Sequence, residues 1–321
     1  MNLQNGRVAL IGAGLMGHGL ALVHAAGGCS VKITDLSAEK LATGMGLIES
    51  ALGTMVEADA LAADQVPAIL GRITPVATLA EAVADAELII EAVVENTDVK
   101  RQVFAEIDAA APADAVVASN TSHLDVFPLI PDRRQPRCLI THWYTPPYII
   151  DLVDLAPGAQ TEPEVMLAAK ALYDGMGKKP VLFEKFIPGY VANRLQAAIG
   201  LEITRLLDEG WASAEAIDDS IKYGLALRMA LMGALMKADF TGLDMMRRAM
   251  ANGMYTPPTP TGRSATLEGL IAAGKQGVMN GGGYFDYGDM RPEELFRNRD
   301  IGLLKLKATV DQVEKEVPLK P

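Results

Sequence analysis

The chain has 321 residues, half of them apolar, which is enough for two domains with sizeable cores. Its net charge of −11 and pI near 4.9 argue against nucleic acid as a partner, since that needs clustered Lys and Arg. Two cysteines, Cys29 and Cys138, make neither a disulfide framework nor metal-ligand spacing, and no apolar run is long enough to span a bilayer; the expectation is a cytoplasmic protein with no metal and no membrane contact.

The N-terminus passes almost at once into the apolar run Val8-Ala9-Leu10-Ile11, so no signal peptide is expected. Gly12-Ala13-Gly14-Leu15-Met16-Gly17 follows and runs into His18-Gly19-Leu20-Ala21-Leu22-Val23, which reads as strand, tight turn and helix. Gly12 permits the turn, Gly14 lets the backbone approach a pyrophosphate, and Gly17 lets helix and strand pack closely. The N–H groups at this helix start, around Leu15 and Met16, would face the anion. A second strand, Val31-Lys32-Ile33-Thr34, ends in Asp35, roughly where an acid bonds ribose hydroxyls. A carboxylate there repels a 2′-phosphate, so NAD is expected rather than NADP. An ordinary glycine-rich turn with a surface Asp is the bland alternative.

Helix is expected over 37–56, strand at Leu88-Ile89-Ile90-Glu91-Ala92, helix over 99–109 and strand at Ala115-Val116-Val117-Ala118. Leu139-Ile140-Thr141-His142 reads as strand, 148–155 as a longer one, 163–176 as helix and 179–183 as the last strand. Such alternation implies an α/β fold, a doubly wound, mostly parallel sheet of Rossmann type. At Pro188-Gly189 the character becomes helical. Val191, Leu195, Ile199, Ile203 and Leu206 fall at helical spacing, and helices are expected over 214–223, 229–240 and 243–251, with a proline-rich loop over 255–262. The expected domains are therefore 1–187, binding the dinucleotide, and 188–321, all-helical.

Of four histidines, His18 and His24 lie on the first helix and read as structural, and His123 lies in a loop. His142 ends a strand on the side where parallel sheets place ligands. The stiff turn Trp143-Tyr144-Thr145-Pro146-Pro147 follows, and the next strand brings Asp154 back toward it. Alternation puts Ile150, Leu152 and Asp154 on one face, an unusual place for an unpaired acid. Two readings stand on the residues alone. One is a general base with a fixed tautomer, taking a hydroxyl proton while hydride leaves the same carbon for a nicotinamide. The other is a structural His with a surface Asp.

The chain resembles the L-3-hydroxyacyl-CoA dehydrogenase superfamily over nearly its whole length. The matching pieces are the glycine turn, Asp35, Glu91-Ala92-Val93-Val94-Glu95-Asn96, Ser119-Asn120-Thr121-Ser122, the His142 segment, Gly189-Tyr190-Val191-Ala192-Asn193-Arg194 and Gly281-Gly282-Gly283-Tyr284-Phe285. The resemblance implies that His142 is the base and Asp154 its orienting acid. It implies that Ser122 and Asn193 bond the substrate oxygen, that Glu95 and Lys100 sit near the nicotinamide riboside with Asn120 at the cofactor, and that the helical domain forms a homodimer. This sequence departs from the pattern at Asp154, usually Glu, and at Thr145, usually Asn.

Two features bear on the substrate. Residues 41–71, where such dehydrogenases carry lysines for coenzyme A, contain no Lys or Arg and do contain Glu49, Glu57, Asp59 and Asp64. Arg228 lies in the otherwise apolar stretch 224–233, which resembles the branch acting on small free acids such as carnitine, gulonate and a pyridine carboxylate. Arg228 could fork onto a carboxylate, or serve as a surface Arg or subunit salt bridge. The Trp143-Tyr144 pair reads as core packing or as the wall of a small pocket. The expectation is an NAD-dependent dehydrogenase of a small hydroxy acid. Its rivals are a true 3-hydroxyacyl-CoA dehydrogenase and an NAD-binding, crystallin-like structural protein.

Overall fold

The computed structural model describes residues 2–253 and 255–319. The chain divides into two compact units at Tyr190/Val191. In the first, β1 (Arg7–Ile11) leads through the glycine turn into α1 (Gly17–Ala26), followed by β2 (Ser30–Thr34), α2 (Ala38–Glu57), α3 (Val66–Leu70), β3 (Ile73–Pro75), α4 (Leu79–Val83), β4 (Leu88–Glu91), α5 (Thr97–Ala110) and β5 (Val116–Ser119). Then come β6 (Cys138–Trp143), β7 (Leu152–Pro157), α6 (Pro163–Gly175) and β8 (Lys179–Leu182). The eight strands form one sheet in the order β3-β2-β1-β4-β5-β6-β7-β8. All neighbours are parallel except β6 and β7. The connection from Tyr144 to Asp151 is too short for the crossover of about a dozen residues that a parallel pair needs.

The central strands are apolar on both faces because helices cover both. Period-2 alternation sends Leu10, Ile90, Val116 and Leu139 to one side, where Leu20 of α1 and Leu172 of α6 meet them. Ile11, Ile89, Val117 and Ile140 go to the other, against Val83 of α4 and Phe104 of α5. α2 starts on Ser37, whose hydroxyl accepts the Lys40 N–H.

The expected strand over 148–155 starts only at Leu152 and runs on to Pro157. The Ile149 and Ile150 N–H groups turn back onto the Pro146 carbonyl. The Lys178 ammonium reaches the Pro147 carbonyl at 2.9 Å and Asp151 at 3.1 Å, which fixes that turn. Ile150 therefore does not share a strand face with Asp154. β3, α3 and α4 arise where the sequence pattern raised no expectation, being too short to show a period. The first unit also continues past the expected boundary at 187. Tyr190 is wholly buried, and its hydroxyl donates to the Thr121 carbonyl at 2.8 Å.

The second unit is helical: α7 (Ala192–Asp208), α8 (Ala214–Asp219), a wide π-type turn (Ser220–Ala226), α9 (Leu227–Thr241), α10 (Leu243–Asn252), α11 (Ala265–Ala272) and α12 (Pro292–Glu316). α9 is broken at Gly233, whose φ of 67° leaves the helical region. The helix expected over 214–223 narrows to α8, and the π-type turn takes over its last residues. α11 and α12 lie beyond the reach of the expectations drawn from sequence. Among the described residues, no helix is long and apolar enough to cross a membrane.

Candidate active site

The glycine turn opens a cleft at the C-terminal ends of β1 and β2. Gly12 has φ +105°, and a Cβ there would lie 2.7 Å from the Ala92 carbonyl oxygen. A Cβ on Gly17 would collide with the Gly12 carbonyl, so the start of α1 can sit on the turn only as glycine. A Cβ on Gly14 would meet nothing within 4 Å, so its backbone faces open space. No acid stands in the first turn of α1, where the His18 N–H donates to the Gly14 carbonyl at 3.3 Å. Leu15 lines the cleft, whereas Met16 accepts the Thr145 hydroxyl on its sulfur at 3.0 Å.

Asp35 closes the other side. Its Oδ2 accepts the Ala13 N–H at 2.7 Å and its Oδ1 the Leu36 N–H at 2.7 Å. Each carboxylate oxygen keeps a further lone pair for a ligand hydroxyl. Gly12, Gly14, Asp35, Val93 and Val99 line a cleft of about 770 Å³. Open backbone at a helix start beside a fixed carboxylate fits a dinucleotide: pyrophosphate on the turn, ribose hydroxyls on Asp35.

Glu95 organises the next part of the site. Its Oε1 accepts the Thr121 hydroxyl at 2.7 Å and the N–H groups of Ser122 at 2.9 Å and His123 at 3.0 Å. Its Oε2 meets Lys100 Nζ at 3.2 Å. Burial opposes its ionisation, but the His123 N–H, the Thr121 hydroxyl and the Lys100 charge outweigh burial and hold the carboxyl at about 2. Lys100 is only 1% exposed and is also paired with the wholly buried Glu91 at 2.7 Å. It thus sits beneath Glu95. Asn120 takes its N–H to the Glu91 carbonyl and accepts the Trp143 N–H on Oδ1 at 2.9 Å, tying the end of β5 to β6.

His142 and Asp154 are direct cross-strand partners in the antiparallel β6–β7 register. Both are buried, and Nδ1 lies 3.2 Å from Asp154 Oδ2. A carboxylate accepts, so Nδ1 carries the proton and Nε2 presents a lone pair. Nε2 lies 3.3 Å from Ser122 Oγ. The ring is clamped between Tyr190, stacked at 4.5 Å, and Tyr144, edge-on at 4.7 Å. The Tyr144 hydroxyl donates to the same Asp154 Oδ2 at 2.6 Å. Trp143 points to the opposite face and is core, packed on Tyr173 and His24. His18 and His24 are buried, each with Nδ1 on a backbone carbonyl of α1 or the turn before it.

His142, Asp154, Ser122, Glu95 and Asn120 are thus gathered by four neighbouring strands, β4 to β7, and their loops. Asn193 lies in the first turn of α7 and Arg228 in that of α9, both in the second unit. Arg228 is exposed and donates Nε–H to the Gly224 carbonyl at 2.8 Å. Sequence reasoning missed Thr121 as a Glu95 partner, the Tyr144 hydroxyl, and the stacking of Tyr190 on His142.

Residues 7–186 match the profile of the 3-hydroxyacyl-CoA dehydrogenase NAD binding domain, and residues 189–287 that of the 3-hydroxyacyl-CoA dehydrogenase C-terminal domain. A 3-hydroxybutyryl-CoA dehydrogenase of Bradyrhizobium diazoefficiens is 32% identical over 294 residues, 89% of this chain and 97% of that one. An L-carnitine dehydrogenase of Streptomyces griseus is 35% identical over 240 residues, 74% of this chain and 70% of that one. The crystal structure of 5-formyl-3-hydroxy-2-methylpyridine 4-carboxylic acid 5-dehydrogenase, an NAD+-dependent dismutase, superposes with a TM-score of 0.84 at 27% identity, over 95% of this chain and 98% of that one.

Proposed function

The chain belongs to the 3-hydroxyacyl-CoA dehydrogenase family of NAD-dependent oxidoreductases, and from that premise we propose that it oxidises the secondary alcohol of a small free hydroxy acid, at its 3-position, with His142 as general base. The observation that carries the proposal is the buried cross-strand pair of His142 and Asp154, with Nε2 turned toward Ser122. His142 Nε2 takes the proton of the substrate hydroxyl, which lies within hydrogen-bond reach of both Nε2 and Ser122 Oγ. Asp154 holds the ring in the tautomer that leaves Nε2 bare, and stabilises the imidazolium that forms. A positioned base of this kind contributes roughly 10²–10⁴ in rate. NAD, when bound, supplies the hydride acceptor. Gly12, Gly14, Leu15, Met16 and Gly17 hold its pyrophosphate and Asp35 its ribose, while Glu95, set by Lys100, and Asn120 shape the nicotinamide end. Asn193 is the second proposed contact to the substrate oxygen.

The free-acid substrate class rests on charge. Glu49, Glu57, Asp59 and Asp64 are all exposed on or after α2, with no Lys or Arg between residues 41 and 71. That surface repels the phosphates of a coenzyme A thioester. Arg228 is the proposed partner of the substrate carboxylate, through the two parallel bonds its guanidinium can make. The likeness to L-carnitine and pyridine-carboxylate dehydrogenases supports this class, whereas the 3-hydroxybutyryl-CoA dehydrogenase relative favours a thioester as the second reading.

NADH formation from carnitine, gulonate, 3-hydroxybutyrate and 3-hydroxybutyryl-CoA separates the two. Turnover of a free acid, lost in His142→Ala, supports the proposal; turnover of the thioester alone overturns the substrate class. NADH binding without turnover on any alcohol points to a binding protein instead. The exposed apolar side chains of the second unit, among them Leu227, Leu235, Phe240 and Met250, support a homodimer built through it. The free, buried Cys29 and Cys138 fit a reducing cytoplasm.

A further inference from the structure

We infer that Tyr144 is a positioning residue of this site, whose hydroxyl holds the Asp154 carboxylate so that Oδ2 faces the His142 ring. The inference rests on the His142–Asp154 reading and adds a third member to it. Asp154 projects from a strand whose backbone is fixed by β6 on one side and β8 on the other. Its short side chain can still turn about its last bond, and only one setting presents an oxygen to His142 Nδ1. Two donors converge on that oxygen. The Tyr144 O–H does so at 2.6 Å and the His142 N–H at 3.2 Å. Against the ordinary lengths of O–H and N–H bonds, the first is short and the second long. The strongest hold on this carboxylate is therefore the phenol rather than the imidazole.

Among the described residues, the neighbouring side chains have other partners. Tyr190, on the other face of the imidazole, has its hydroxyl committed to the Thr121 carbonyl. Glu95 approaches from the Ser122 loop and is matched by Lys100. Ser122 is neutral and meets Nε2, not Nδ1. Burial, and then the bond and charge of Asp154, push the Tyr144 phenol above its ordinary pKa, so it remains a donor throughout the working pH range.

Sharing Oδ2 has a chemical consequence. A carboxylate oxygen that already accepts a strong bond gives less to a protonated imidazole. Tyr144 thus orients the acid while sharing its oxygen with His142. Removing the hydroxyl should free the carboxylate to rotate, so that it no longer holds the imidazole in one tautomer.

The test needs no substrate. In protein labelled with ¹⁵N-histidine, long-range ¹H–¹⁵N spectra resolve the four imidazoles, and His142 is assigned by its loss in His142→Ala. Tyr144→Phe keeps the ring and deletes the donor. We expect the single His142 tautomer to become a mixture once the carboxylate is no longer held. A His142 ring that keeps one tautomer in Tyr144→Phe overturns the inference. Asp154→Asn separates this from the underlying dyad. If it mixes the His142 tautomers while Tyr144→Phe does nothing, only the role of Tyr144 fails. If Asp154→Asn leaves His142 unmoved, the dyad itself fails. NADH binding and thermal melting of each variant report whether the fold is kept.

Discussion

The two units solve the problem of burial in different ways. The first closes its own core: β1, β4, β5 and β6 send alternate side chains to two helix-covered faces, and Leu10, Ile33, Ile89 and Ile90 are wholly buried. In the second, Ile217 and Leu304 are the only large apolar side chains buried among the described residues, while Leu227, Leu235, Phe240 and Met250 are each more than two-thirds exposed. The difference teaches where rigidity is needed. A phosphate-binding turn and a base within hydrogen-bond reach of its acid need a densely packed frame. A helical unit that leaves apolar side chains uncovered fits the homodimer proposed above.

The largest expected effect falls on the first unit. His142→Ala should cut NADH formation by roughly 10²–10⁴ while NADH affinity stays as in the wild type. A loss below tenfold, measured with whichever hydroxy acid turns over, would remove the chemistry from this frame. Next comes packing. Ile90→Ala, at a wholly buried position, should cost about 2–5 kcal/mol in urea unfolding, and Leu235→Ala, 80% exposed, within about 0.5 kcal/mol. Equal costs would erase the contrast between the units.

Acid should act on the first unit in the same direction. His24 is wholly buried, and burial pulls its pKa down to about 4, with the Leu20 carbonyl opposing and Lys178 assisting. An unfolded histidine titrates near 6.5, so between those values the unfolded chain binds the extra proton. Stability from His24 is complete above pH 6.5 and lost as pH falls toward 4, roughly 3 kcal/mol in all. His24→Gln should flatten that slope in urea titrations at pH 7 and pH 4, and an unaltered slope would exclude His24 as its source. The smallest effect on folding is expected from Leu235→Lys. It should shift sedimentation toward a smaller species and leave NADH affinity intact; unchanged sedimentation would count against this face as the dimer contact.

Much of the cofactor end was readable in the residue order because its demands are local. A turn that needs φ +105° at Gly12, and no Cβ at Gly17, must write glycine at those positions. Asp35 follows its strand directly and closes on the Ala13 N–H of the same turn. The reaction end was readable in part: the strand after His142 was expected to bring Asp154 back toward it, and the resemblance added Ser122. His142 and Asp154 stood out as an imidazole and an acid among apolar neighbours. Glu95 as the hub of the Ser122 loop, Lys100 sealed beneath it, and Tyr144 on Asp154 were not visible, because each depends on which segments pack together.

By itself, then, the sequence determined the α/β frame, the dinucleotide turn with its acid, and the residues from which a base could be chosen. These follow from periodicity and from backbone conformations that only certain side chains permit, and both act over a few residues. The tertiary structure decided the rest. The antiparallel β6–β7 register set His142 opposite Asp154, and the turn held by Lys178 fixed where β7 begins. Tyr190 came from beyond the last strand to stack on the imidazole. Hydrogen-bond reach is a matter of a few tenths of an ångström, and only the packed sheet positions side chains from distant segments that closely.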